Sequence, residues 1–147
     1  MADDRVLNWV AEHVKLYLED PEKAHDWDSA SAGGTGVFPT LLLVMTGRKS
    51  GQERMLPLIY KKIGNRYAII ASKGGQPAHP SWYLNVVATP TCRIQVGKKQ
   101  LDVVARTASG EERQRIWDEL VEVYPPYNPY QEKAGAREIP VVVLDPA

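Results

Sequence analysis

The chain has 147 residues, 44% hydrophobic and 24% charged, which suits one globular domain with its own core. Basic and acidic residues balance at 18 each, so no net basic excess points to a nucleic-acid partner and none is expected. No apolar run approaches the ~20 residues of a membrane-spanning helix, and the acidic start MADDRVLNWV lacks the basic flank of a signal peptide.

Val6, Leu7, Val10, Val14, Tyr17 and Leu18 recur at helical spacing, with Asp3 or Asp4 as cap and Pro21 as stop. The spacing predicts an amphipathic helix that packs on a core or rests on a membrane surface or partner. Its polar face is poor in Lys and Arg, which weakens the membrane option. Asp26 to Thr35 is small, polar and glycine-rich and reads as a mobile connector. VFPTLLLVMT, RMLPLIYKKI and RYAIIAS then read as three strands joined by tight turns, an antiparallel meander.

GGQPAHP reads as a loop, and SWYLNVVA as a short helix with Ser81 near its cap. TCRIQV and QLDVVARTA flank a turn at Gly97-Lys98. Ser109 and Glu112 make a capping-box signature for a helix running to about Tyr124. YPPYNPYQEKAG reads as a proline-stiffened loop, and IPVVVL as the last strand. Six strands with two or three helices and hairpin connections imply an α+β protein whose antiparallel sheet curls into a barrel.

The neutral total hides a split. Residues 1–29 hold eight acids and three bases, whereas Thr46 to Lys73 sets Arg48, Lys49, Arg54, Lys61, Lys62, Arg66 and Lys73 against Glu53 alone. Such a cluster attracts a small polyanion, or is a solvated stripe. In TGRKSGQER, residues 46–54, glycines allow a close turn whose N–H groups and basic side chains suit phosphate. The segment fails the Walker A pattern, because Arg48 separates Gly47 from Lys49. Ser72, Lys73 and Gly74-Gly75 end a strand before the next helix, where N–H donors and a helix dipole meet. Trp82 either walls a flat heteroaromatic ring or anchors the core. Tyr124, Tyr127 and Tyr130, three apart, offer ring faces and hydroxyls for a ligand, or simply pin their loop.

No serine nucleophile elbow, Cys–His pair or carboxylate pair is present. Cys92 is the sole cysteine, so no internal disulfide forms and a cytoplasmic setting is expected. His13, His25 and His79 share no ligand spacing, and no metal is expected. A site without side-chain machinery suits a cofactor with its own reactivity.

From about Val37 onward the chain resembles the deazaflavin-dependent nitroreductase family of actinobacteria. The resemblance runs through LLLVMTGRKSGQERMLPLIY, ASKGGQPAHPSWYLN, ATPTCRIQV, EERQRIWDELVEVYPPYNPYQ and REIPVVVL, in order and over roughly three-quarters of the chain. It implies an FMN-binding split-barrel-like fold that binds coenzyme F420, with residues 1–30 as N-terminal helix and linker and 31–147 as the coenzyme-binding domain. Arg48, Lys49, Ser50, Arg54 and Lys73 would hold the phosphate and acidic tail. Pro57, Ile59, Ser72 and Trp82 would line the ring pocket, and Tyr124, Tyr127 and Tyr130 would form the acceptor side. The isoleucine at position 59, where relatives carry an aromatic, implies different acceptor packing.

The implied activity is hydride transfer from reduced coenzyme F420 to a quinone, conjugated enone or nitroaromatic acceptor. The alternatives are an FMN-dependent oxidoreductase on the same barrel, a non-catalytic flavin or haem module, and a single-stranded nucleic-acid binder. A haem has little support, because no histidine falls in the expected ring pocket. A monomer is preferred over a homodimer, and residues 1–20 are the candidate for peripheral membrane contact.

Overall fold

A computed structural model describes the backbone of residues 4–32 and 34–147, and the side chains of residues 10–30 and 34–147. The cap expected at Asp3 and the apolar contacts expected of Val6 and Leu7 lie outside the described residues. Helix α1 (Asp4–Glu19) is followed by the short α2 (Pro21–His25), which begins where Pro21 ends the first. Asp20 accepts the Lys23 N–H across that junction, while Pro21 fills the opening position where its missing N–H costs nothing. Among the described residues no helix is long and apolar enough to cross a membrane.

The expected mobile connector is partly ordered. Asp26–Asp28 forms strand β1 and Ser29–Ala32 a 3-10 turn. Trp27 holds it in place by packing its ring against His13 and Phe38, and Ser29 is tied to the Gly36 carbonyl through both Oγ and N–H.

Strand β2 (Val37–Thr46) explains its own sequence. Leu41 through Met45 are all buried because both faces of the strand are covered. Leu41, Leu43 and Met45 point into the barrel core, while Leu42 and Val44 pack under α1 against Tyr17. Burying each leucine contributes roughly 1.5–3 kcal/mol. Leu18, expected on the apolar face of α1, is instead 58% exposed.

The remaining strands are β3 (Glu53–Ile59), β4 (Lys61–Ile63), β5 (Arg66–Ile70), β6 (Thr91–Val96), β7 (Lys99–Thr107) and β8 (Val141–Pro146), all paired antiparallel. Their order is β1-β2-β6-β7-β8-β5-β4, with β3 on β2 as well. This is the expected α+β split barrel, an antiparallel sheet curled on itself with flanking helices.

Two details differ from the expected meander. RMLPLIYKKI breaks at Tyr60 into β3 and β4, and β3 pairs only with β2. Pro57 has no N–H to offer a second neighbour, which keeps β3 at an edge. A seam without ladder hydrogen bonds is therefore left between β3 and β5.

Helix α3 (Ser81–Ala88) is the expected one, but Pro80 rather than Ser81 holds its cap position. Helix α4 (Gly110–Val123) starts after Ser109 without the expected capping box. Glu112 turns away to make a bidentate pair with Arg106 at 2.6 and 3.0 Å, a charge-assisted geometry stronger than a backbone cap. The expected tyrosine loop is largely helix α5 (Tyr127–Ala134). Pro126 already has helical dihedrals, and Pro129 sits in the first turn, where a missing N–H is tolerated. Ala68, Ile70, Val141 and Val143 face α4 and α5 across a second core cluster.

Candidate functional site

The seam between β3 and β5 opens into a cavity of about 300 Å³. Pro57, Leu58 and Ile59 form one wall, Ile70, Ser72 and Gly74 another, and Tyr124, Tyr127 and Tyr130 the third. His13, Trp27 and Thr40 close it from the N-terminal side. The structure thus brings Pro57, Ile59, Ser72 and all three tyrosines, drawn from four elements and connections, around one space.

Helix α5 sets the tyrosine geometry. Tyr127 and Tyr130 fall on one face, and the Tyr124 and Tyr130 hydroxyls lie 3.1 Å apart. The Tyr124 ring meets Phe38 and Tyr127 edge-on, each at 4.9 Å. Tyr127 is only 4% exposed but borders the cavity, and its hydroxyl makes no hydrogen bond among the described residues. Burial pushes the Tyr127 phenol well above its usual range, with Tyr124 and Tyr130 adding to the shift. Burial, then the Tyr130 hydrogen bond, does the same for Tyr124. Both are neutral near pH 7 and act as donors rather than as phenolates.

The opposite rim carries backbone strain. Lys73 has φ +47°, and Gly74 and Gly75 follow at +61° and +79°. A non-glycine residue in this region is costly and persists only when its surroundings fix it. The run turns the chain sharply, so that Ser72 and Gly74 face the cavity while the Lys73 side chain stays exposed.

The basic turn is closed more tightly than its sequence implies. Gly47 N–H donates to the Gln52 carbonyl, Gly51 N–H to the Gly47 carbonyl, Gln52 N–H to Ser50 Oγ and Arg48 N–H to Asn85 Oδ1. These four donors are engaged within the turn and on Asn85 of α3. The Arg48 guanidinium also reaches inward, to Asn85 Oδ1 at 2.9 Å and the Ser81 carbonyl at 3.3 Å. Lys49, Ser50 and Arg54 are exposed, and the Lys49 and Arg54 side chains make no hydrogen bond or ion pair among the described residues.

Trp82 is not on the cavity wall. It is buried in the barrel core with Met45, Val86 and Ala105. Four wall residues were not singled out from sequence: Trp27, Thr40, Leu58 and Ile70. His13 is a fifth, and it corrects the expectation that no histidine borders the pocket. Its Nε2 bonds the Ala24 carbonyl at 2.9 Å, and burial lowers its pKa, with the Ala24 bond opposing, so it presents a neutral ring stacked near Trp27. Among the described residues no group of three or more His, Cys, Asp or Glu is placed to hold a metal.

A curled antiparallel barrel with a tyrosine-walled cavity at its seam defines a split-barrel protein. The family model for F420H(2)-dependent quinone reductase matches residues 21–146, and the chain belongs to that family. It is 36% identical over 148 residues to a Mycobacterium tuberculosis protein named F420H(2)-dependent quinone reductase, covering 95% of this chain and 97% of that one.

A solved F420-H2 dependent reductase is 49% identical, with a TM-score of 0.68 over 73% of this chain and 94% of its own. Another solved structure, a domain-swapped dimer, is 42% identical, with a TM-score of 0.70 over 95% of this chain and 98% of its own. The latter lends no support to the monomer preferred from sequence.

Proposed function

We propose that this chain is an oxidoreductase that passes a hydride from reduced coenzyme F420 to a quinone-class acceptor in the seam cavity. The observation that carries the reading is the cavity's asymmetry. One rim offers strained backbone with the exposed Lys73, and the other offers ring faces and the Tyr127 phenol. The residues fit the coenzyme: Pro57, Ile59 and Ile70 supply an apolar bed for a tricyclic ring, Ser72 and Gly74 backbone polar groups for its carbonyl edge, and Lys49, Arg54 and Lys73 charge for phosphate and tail. Arg48 orients α3 against the turn, and Trp82 supports the site from the core rather than contacting the ring. Relatives named for F420H(2)-dependent quinone reduction support the same chemistry, and none of those described here favours FMN.

When bound, the reduced coenzyme supplies the hydride. The protein's part is to exclude water, hold the acceptor flat, and donate a hydrogen bond from Tyr127 to the acceptor oxygen as negative charge develops there. Tyr130, bonded to Tyr124, orients that donor's neighbourhood and can relay a proton. A peripheral membrane contact through residues 1–20 has the exposed Leu18 in its favour.

The test is a fluorescence titration with oxidised coenzyme F420 and, separately, FMN. Selective, salt-sensitive binding of the deazaflavin is expected. Preference for FMN, or binding of neither, would overturn the proposal.

A further inference from the structure

The left-handed run at residues 73–75 has few apolar anchors of its own. Lys73 and Gln76 are exposed and Ser72 is half-buried. What grips the loop is a guanidinium from elsewhere in the chain. Arg137, in the connection between α5 and β8, donates from Nη2 to the Ser72 carbonyl at 2.6 Å and from Nε to the Gln76 carbonyl at 2.9 Å. Its Nη1 reaches the Ala71 carbonyl and His79 Nδ1, both at 3.1 Å. The fork therefore touches backbone on both sides of the strained residues.

Arg137 is itself fixed to α5. Gln131 donates from Nε2 to the Arg137 carbonyl and accepts the Ile139 N–H at Oε1, both at 2.8 Å. A direct backbone contact adds to the clamp: a Cβ placed on Gly75 would stand 2.5 Å from the Tyr130 carbonyl oxygen. The loop bearing Ser72 and Gly74 and the helix bearing Tyr127 and Tyr130 are thus held face to face across the cavity.

We infer that Arg137 is a positioning residue that sets the width of the cavity between the Ser72–Gly74 rim and the Tyr127–Tyr130 wall, and so the stacking of coenzyme against acceptor. It touches neither reacting group; it acts by holding the left-handed run that a ligand meets. The planar fork is required, because a lysine ammonium cannot span carbonyls at residues 71, 72 and 76 in fixed directions. The inference rests on the reading of the cavity as the coenzyme site.

The experiment compares Arg137→Ala and Arg137→Lys with the unaltered protein in two assays. In limited trypsin digestion without ligand, cleavage after Lys73 is expected to accelerate roughly tenfold as the loop opens locally. With reduced coenzyme F420 and a soluble quinone, turnover is expected to fall roughly 10- to 100-fold. Millimolar guanidinium is expected to restore much of it in Arg137→Ala. The lysine variant keeps the charge and part of the bonding, so it reports on the fork should the alanine variant fail to fold.

Unchanged cleavage at Lys73 in the folded variants would overturn the clamp. Faster cleavage with unchanged turnover, or lost turnover that guanidinium leaves at the same level, would overturn the positioning role while leaving the coenzyme site standing. Failure of the unaltered protein to bind the coenzyme would overturn the site reading and the positioning role with it, while the digestion arm would still report on the clamp.

Discussion

Replacing Tyr127 with Phe removes one oxygen from a buried ring that no described residue hydrogen-bonds. For most buried tyrosines that change is destabilising, because a partner is left unsatisfied. Here the folded protein loses no bond among the described residues, and the hydroxyl borders the cavity, so stability should hold or rise by up to about 1 kcal/mol. For a domain of this size that is a change in Tm of roughly 0 to +4 °C. Turnover should move the other way. Losing a hydrogen bond to an oxygen that gains charge during hydride transfer costs about 1.5–3 kcal/mol, or roughly 10- to 150-fold in rate. Coenzyme affinity should barely change, since the phenol faces the acceptor side. Differential scanning calorimetry, coenzyme titration and steady-state quinone reduction on one preparation give all three quantities. A Tm lowered by several degrees would show that the hydroxyl is structural, and unchanged turnover would remove Tyr127 from the acceptor site.

Lys49→Ala and Arg54→Ala should each weaken coenzyme binding by about 1.5–3 kcal/mol, a loss that shrinks as salt rises, with Tm unchanged; titrations at two ionic strengths check this. Arg48→Ala should differ by lowering Tm as well, because its guanidinium bonds Asn85 and the Ser81 carbonyl. His13 has its pKa depressed by burial, so its share of stability is present above its ordinary value of 6.5 and is lost as pH falls through the depressed one. Thermal melts from pH 8 to about 5 should show that acid limb, and it should flatten in His13→Gln. On the alkaline side Tyr17 is pushed up to about 12 by burial. Its share of stability is full below the usual phenol value of ~10 and is lost as pH climbs from there through the raised one; melts at rising pH should begin to decline near the usual value.

The elements legible in the sequence were those whose pattern has a single physical solution. The apolar runs at Leu41–Met45 and in the last strand and the turn at Gly97-Lys98 left little choice, and the curled antiparallel barrel followed from them. Ser72 and the tyrosines could be singled out because a strand end and aromatic spacing offer donors and ring faces, whereas Pro57 and Ile59 came from the family resemblance alone. The misses share a cause in tertiary competition. Glu112 carries a capping-box spacing, yet Arg106 outbids the Ser109 N–H for it. The prolines at 126 and 129 look like loop stiffeners until their positions at the opening of α5 are known. His13 and Trp27 sit far from the motifs and reach the cavity only because α1 and β1 fold back over β2, which no local pattern reveals. Trp82 had two readings on an amphipathic helix, and only packing could place it in the core.

The most direct test of the central claim is a single-turnover experiment. Reduced coenzyme F420 is mixed without oxygen with stoichiometric protein and a soluble quinone, and return of the oxidised coenzyme's fluorescence is followed. The expected result is a protein-dependent transient, faster than the uncatalysed reaction by several orders of magnitude, that saturates with quinone and is slowed in Tyr127→Phe. Reoxidation at the uncatalysed rate by protein that demonstrably binds the coenzyme would contradict the assignment of this cavity to hydride transfer.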